Sequence, residues 1–337
     1  MSRTDIRIGL PSKGALQQAT FNFLANCGLK VYRPNPRQYV AAIPVLPALS
    51  VMFQRPSDIV TGVREGSLDF GITGYDVLAE KGFDNGRKIL TLHDALGYAP
   101  CTLNLAVPEK LPVQTMADLV QWAEELAGDG RPLRIATKFP KVTGAFLNEH
   151  YVLNYKLITV EGTLEIAPAI GFADIIADLV SSGVTLRDNH LRPLSDGQIL
   201  ASQAVLIANK HTLQQRPPVL AVAQQILEYI EAHLRAEGSY LVTANIHGNS
   251  PEAIATLMRP KQHIAGLQGP TISRVITHNG DSWYAINIIV PKADLFTAIA
   301  ELRSIGGSGV IVSPCTYIFE EEPARYKAML VGLGVGD

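Results

Sequence analysis

The chain has 337 residues, a length that implies two or three domains, and its 47% hydrophobic and 18% charged residues suit folded cores. The formal net charge of −2 at pH 7 leaves no electrostatic footprint for nucleic acid, so any phosphate the protein binds must be met by a few placed groups. The opening MSRTDIRIGLPSKG holds no long apolar run, the three cysteines (Cys27, Cys101, Cys315) lie far apart, and no HxxxH or CxxC pair occurs. These features argue against a secretory signal, a membrane span and a structural zinc site, and for a cytoplasmic protein with reduced thiols.

In chain order, IRIGLP (6–11) reads as a buried strand, and Leu16, Thr20, Phe23, Leu24 and Cys27 then recur at helical spacing until Gly28. In 55–82, Ser57 or Asp58 is positioned to cap a helix that Gly66 stops; LDFGIT follows as a strand and YDVLAEKG as a helix. Strands alternating with helices predict a mostly parallel sheet with ligands at the strand C-terminal ends, where the loops PSKG and TGYD lie.

A second unit of the same kind starts near residue 101, with candidate strands 102–108, 133–139, 155–162 and 173–180 and helices in MADLVQWAEELAG, VTGAFLNEHYVL and TLEIAPAIG. Residues 190–212 regain strand character and are expected to cross back to the first unit. The organisation read here is therefore 1–100 plus 190–215 as one lobe, 101–189 as a second, and an amphipathic connecting helix at 216–238. The order β-α-β-β-α-β over 239–320 is that of a ferredoxin-like α+β domain, and 321–337 read as a solvated tail. Two lobes joined by crossing segments leave a cleft, a usual place for a small-molecule site.

The most informative stretch is ADIIADLVSSGVTLRDN, 173–189. Strand alternation puts Asp174 and Asp178 on one face of an otherwise apolar run, and a helix would pair them at i,i+4; either way the two read as neighbours, and buried like charges are costly unless something answers them. A sugar diol answers well, because carboxylates accept hydrogen bonds from hydroxyls. The loop that follows, Ser181-Ser182-Gly183-Val184-Thr185, offers consecutive backbone N–H groups, three hydroxyls and close approach at Gly183, which suits a phosphate monoester. The same residues also fit a capping Asp178 and an ordinary turn at Gly183.

The pattern running from Glu165 through Gly171, Ala173, Ile176, Asp178, Ser182, Gly183 and Thr185 to Leu186 resembles the signature of the ATP phosphoribosyltransferase family, which opens histidine biosynthesis. LPSKG (10–14), RPSDI (55–59), DFGITGYDVL (69–78), IATKFP (135–140) and EGTLE (161–165) resemble the family in the expected order. GLQGPTIS (266–273) and IGGSGVIV (305–312) resemble the C-terminal domain of its long form. Three positions depart from common patterns: Ala15 where many members carry Arg, the segment after Cys101 without a basic residue, and Ala244 where some long forms carry Asp.

The resemblance implies an α/β fold with a two-lobed, periplasmic-binding-protein-like (type II) catalytic body and a ferredoxin-like regulatory domain. It implies transfer of the phosphoribosyl group of phosphoribosyl pyrophosphate (PRPP) to N1 of ATP, with Mg²⁺ as cofactor. L-Histidine is the implied inhibitor, a hexamer built from dimers the implied assembly, and no separate regulatory subunit is expected. The expected roles are the 5′-phosphate of PRPP on Ser181, Ser182, Gly183, Val184 and Thr185, and the ribose hydroxyls or Mg²⁺ on Asp174 and Asp178. Lys13 and Gly14 should meet the pyrophosphate or triphosphate and Arg55 the nucleotide phosphates, while Gly71, Thr73 and Gly74 let substrate approach a strand end. Glu165 should support the loop from the start of its helix. The C-terminal domain fits either a receiver for histidine or an oligomerisation unit.

Overall fold

The computed structural model describes residues 4–35, 37–82, 86–160, 162–278 and 280–335. Two compact units are present, Met1–Gln225 with Ala324–Asp337 and Ile226–Pro323. Glu161, the first residue of EGTLE, lies outside the described residues.

In the first unit, lobe I opens with β1 (Ile6–Pro11), α1 (Ala15–Asn26), β2 (Val40–Ala42), β3 (Leu49–Gln54), α2 (Pro56–Arg64), β4 (Phe70–Gly74), α3 (Tyr75–Lys81) and β5 (Ile89–His93). β1 and β4 are near-continuously buried, as a sheet covered on both faces requires. Gly9 and Gly71 face each other in register across these strands. A Cβ at Gly71 would sit 2.4 Å from Ile59 Cγ2, and one at Gly9 2.6 Å from Leu68 Cδ1, so the glycine pair is the flat seat of α2. Strands β2 and β3 escape the sequence reading, although Leu49, Val51 and Phe53 alternate as buried residues. The expected cap at Ser57 or Asp58 is corrected to Arg55: Pro56, with its fixed φ, occupies the first helical position and draws both residues into the first turn.

Lobe II comprises β6 (Cys101–Pro108), α4 (Met116–Gly128), β7 (Leu133–Thr137), α5 (Pro140–Glu149), β8 (Tyr155–Thr159), β9 (Ile175–Val180), α6 (Val184–Asp188) and β10 (Leu191–Ser202). The chain then returns to lobe I as β11 (Ala204–Asn209), followed by α7 (Lys210–Gln215). Lobe I has the strand order β2-β3-β1-β4-β11-β5 and lobe II the order β10-β6-β9-β7-β8. Read outward from β3 and from β8, both share one plan: β11 enters antiparallel beside β4, and β6 antiparallel beside β9. This is the two-lobed, periplasmic-binding-protein-like arrangement.

Two expectations change here. β10 pairs with β6, so 191–202 belongs to lobe II and the crossing back falls at Gln203 rather than at 190. The helix expected in TLEIAPAIG is absent: 163–171 form a series of turns, because Pro168 donates no N–H and clashes with a preceding helical turn.

α8 (Pro217–Ala236) leads into the second unit, with β12 (Ser239–His247), α9 (Pro251–Met258), β13 (Thr271–Val275), β14 (Trp283–Pro291), α10 (Leu295–Ser304) and β15 (Ser308–Pro314). Its sheet order, β13-β14-β12-β15, is antiparallel throughout and gives the ferredoxin-like fold. Val242, Ala244, Ile246, Ile286 and Ile288 pack with Ile254, Ala298 and Leu302 of its helices in a core of their own. The expected tail is instead α11 (Ala324–Leu333), which belongs to the first unit; its Met329 and Leu333 are buried, and it packs on β5 and α7. No described helix is long and apolar enough to cross a membrane.

Candidate active site

Each lobe presents a lysine just beyond a strand that feeds a helix. In lobe I, β1 ends before Lys13, and Gly14, at φ 81°, turns the chain into α1, whose N-terminus has no side-chain cap. A side chain at Gly14 would be strained by that φ, while the space around it is open. In lobe II, the Thr137 hydroxyl accepts the N–H of Phe139 at 3.0 Å, which turns the chain after β7, buries Phe139 and leaves Lys138 exposed. Lys13, Gly14, Arg55 and Lys81 of lobe I and Lys138 and Thr159 of lobe II line one interlobe cavity of about 1050 Å³. That volume, rimmed by four cations, suits a polyphosphate ligand.

The loop 181–185 follows β9. Ser181, Ser182, Val184 and Thr185 are exposed, and Gly183 caps α6 in the left-handed region at φ 73° with no side-chain cap bond. Ser181 also lines a second interlobe cavity of about 690 Å³, together with Tyr75, Cys101 and Ser202. Asp178 sits at the β9 end of this loop, its Oδ1 accepting the Leu179 N–H at 2.8 Å. Burial pushes its carboxyl above the ordinary value and the Glu165 charge adds to this, while the Leu179 N–H and the Lys138 ammonium oppose.

Asp174 is set apart from this group. It precedes β9, and four residues of extended chain span roughly 13 Å, so a shared face does not make neighbours of the two carboxylates. Its oxygens accept from the Arg134 backbone N–H at 2.8 Å, from Arg134 Nη2 at 3.0 Å and from Arg131 Nη1 at 3.1 Å. Burial alone would raise this carboxyl, but the Arg134 and Arg131 bonds outweigh it and hold it below the ordinary value. Asp174, expected as a ligand of ribose hydroxyls or Mg²⁺, is thus engaged by Arg131 and Arg134 at the strand's far end.

Three lobe I residues expected at a substrate-facing strand end, Gly71, Thr73 and Gly74, are buried in β4. Gly71 is the seat of α2. Thr73 is fully buried, with its hydroxyl directed to the Pro56 carbonyl at 3.4 Å. Gly74 is buried at the start of α3, where a Cβ would sit 2.2 Å from Asp76 Oδ1. Glu165 is half-buried near Asp178 but stands in a turn, so the expected helix-start support is absent.

Two residues at the cleft escape the sequence reading. Lys138 lies in IATKFP, and its signal was the parallel with LPSKG: a lysine between a buried strand and a helix start. Glu80 is only 2% exposed and crosses the cleft: its carboxylate accepts the N–H of Lys141 at 3.0 Å and of Val142 at 3.1 Å. No one-dimensional pattern marks it.

Comparison with known proteins gives a consistent picture. A family model described as ATP phosphoribosyltransferase matches residues 55–232, and one described as HisG, C-terminal domain, matches 236–317. The chain is 44% identical to the chloroplastic ATP phosphoribosyltransferase 1 of Arabidopsis thaliana, over 99% of this chain and 82% of that protein. It is 35% identical to the ATP phosphoribosyltransferase of Caulobacter vibrioides (strain NA1000 / CB15N), covering 95% of each. It is also similar to a solved chain of the ATP phosphoribosyl transferase (HisG:HisZ) complex from Thermotoga maritima. That match has a TM-score of 0.52 and 24% identity, and covers 67% of this chain and 98% of that one.

Proposed function

The chain belongs to the ATP phosphoribosyltransferase family, and on that premise we propose how its residues divide the work of the reaction. The enzyme transfers the 5-phosphoribosyl group of PRPP to N1 of ATP and releases pyrophosphate, the first step of L-histidine biosynthesis. The bond to the pyrophosphate oxygen at ribose C1 breaks as the bond from adenine N1 forms. Such a displacement needs two substrates held in line and charge stabilised on the leaving group.

Lobe II takes the PRPP ribose phosphate. Backbone N–H groups of 181–185 and the hydroxyls of Ser181, Ser182 and Thr185 hold the 5′-phosphate, and Asp178 accepts from the ribose hydroxyls. The observation that carries this reading is the pairing of Asp178 with an exposed, uncapped loop at one strand end. Lys13, Arg55 and Lys138, around the larger cavity, meet the pyrophosphate and nucleotide phosphates. Lys138 draws the leaving group toward the same strand ends that hold the ribose.

Mg²⁺ fits this site as a passenger on substrate. Among the described residues no group of three or more His, Cys, Asp or Glu could hold a metal ion, and a lone Asp178 suits a cation bound mainly through phosphates. Bound there, it would neutralise charge on the departing pyrophosphate.

The second unit, a separate ferredoxin-like core, is read as the receiver of L-histidine, without a separate regulatory subunit. A homo-hexamer built from dimers in the cytoplasm completes the proposal. Ile276 and Phe296, 97% and 87% exposed, are apolar surface that association would cover. The test is pyrophosphate release from the purified protein with ATP, PRPP and Mg²⁺, with and without histidine. Release that needs both substrates and falls on adding histidine supports the reading. Release unaffected by saturating histidine removes the receiver role and leaves the second unit an assembly module.

A further inference from the structure

α3 carries two buried acids one helical turn apart, Asp76 (6% exposed) and Glu80 (2% exposed). Neither faces its own lobe's solvent, and both bond across to lobe II. Asp76 Oδ1 accepts the hydroxyl of Ser202, the last residue of β10, at 2.6 Å, and that hydroxyl accepts the Asp76 N–H at 2.9 Å. Glu80 Oε1 and Oε2 accept the Lys141 N–H at 3.2 and 3.0 Å, and Oε2 also accepts the Val142 N–H at 3.1 Å.

The start of α5 explains why a carboxylate from the other lobe is wanted there. Phe139 occupies the N-cap position and offers no side-chain cap, while Pro140 has no N–H to satisfy. Lys141 and Val142 are thus the first orphan donors of the helix, at the positive end of its dipole. Glu80 supplies the missing cap from across the cleft, through charge-assisted bonds. Lys138 lies two residues before Pro140, so whatever fixes the start of α5 also fixes the lysine whose charge acts on Asp178. Glu80 and Lys138 line the same cavity as Lys13 and Arg55.

We propose that Glu80 is a positioning residue, an interlobe latch that sets α5 and Lys138 against the cations of lobe I so that one PRPP can span both lobes. The inference rests on the reading above, in which the loop 181–185 takes the ribose phosphate and the cations the pyrophosphate. It makes a prediction that a merely structural role does not. Ribose 5-phosphate uses the lobe II loop alone, whereas PRPP needs both lobes in register.

The test is calorimetric titration of the full chain and of its Glu80→Gln and Glu80→Ala variants with PRPP and with ribose 5-phosphate, in Mg²⁺. Loss of one charged hydrogen bond's worth of preorganisation is read as about a tenfold weaker PRPP affinity in Glu80→Ala. Glu80→Gln, which keeps one acceptor oxygen, should lie between, and ribose 5-phosphate affinity should stay within about twofold. PRPP affinity within about twofold of the parent protein in Glu80→Ala, or equal weakening of both ligands, overturns the latch. Failure of ribose 5-phosphate to compete with PRPP in the parent protein overturns the loop assignment itself, and the latch with it.

Discussion

Arg134 grips Asp174 from two directions, its backbone N–H at 2.8 Å and its guanidinium at 3.0 Å, at the end of β9 away from the 181–185 loop. Four residues on, Asp178 stands at the other end, within the field of the Lys138 ammonium. One strand thus separates an ion-paired carboxylate from one that stands beside the 181–185 loop.

Replacement of Asp174 should accordingly cost stability and spare PRPP kinetics. Asp174→Asn should destabilise the protein by about 1–2 kcal/mol, allowing for solvent screening of the arginines, with the PRPP KM unchanged. The Asp174 carboxyl is held below its ordinary value, so its contribution is present above the unfolded pKa and is lost as pH falls through the lower folded value. Denaturant midpoints of parent and variant at neutral and acid pH, beside PRPP kinetics, check both halves.

His93 should be the acid-sensitive point of lobe I. Burial pushes it down to about 4 from 6.5, with the Arg325 charge of α11 adding to the shift and Asp94 opposing it. For a base with a depressed folded pKa, stability is whole above the unfolded value and is lost as pH falls toward the folded one. Between pH 7 and pH 5 the group should remove about 2 kcal/mol. His93→Asn should flatten that slope, and the check is chemical unfolding of both proteins at the two pH values.

Two glycines should respond in opposite ways. Gly71→Ala drives a methyl into Ile59 and should cost about 1–3 kcal/mol of stability, with substrate affinities intact in the folded fraction. Gly183→Ala meets only an ordinary contact, Val180 Cγ1 at 3.9 Å, but must hold φ 73°, and it should cost about 1 kcal/mol of strain while weakening PRPP binding. Melting curves and PRPP titrations of the pair separate packing from ligand contact.

These cases mark how far the sequence could be read. The alternation of strand and helix, the ferredoxin-like order and the loop after β9 were legible because each is a local pattern: period, cap, glycine at positive φ. Asp174 and Asp178 read as neighbours because a period of two assigns a face and not a distance. The turns at 163–171 were mistaken for a helix because apolar spacing outweighed Pro168. α11 looked like a solvated tail because its contacts with β5 lie more than two hundred residues back along the chain. Glu80 followed by Lys81 has the look of a solvated helix surface, and only the closing of two lobes buries that acid against α5. Long-range placement, not residue chemistry, is what the one-dimensional pattern lacked.

Steady-state pyrophosphate release by Asp178→Asn decides whether Asp178 and the loop beside it hold the phosphoribosyl group. Burial already disfavours this carboxylate in the fold, so the amide should leave the melting midpoint unchanged or slightly raised. The predicted result is kcat/KM for PRPP lower by about a hundredfold or more, about 3 kcal/mol of transition-state stabilisation, in a protein as stable as its parent. Unchanged PRPP kinetics in Asp178→Asn, alongside a large loss in Asp174→Asn, would contradict the account.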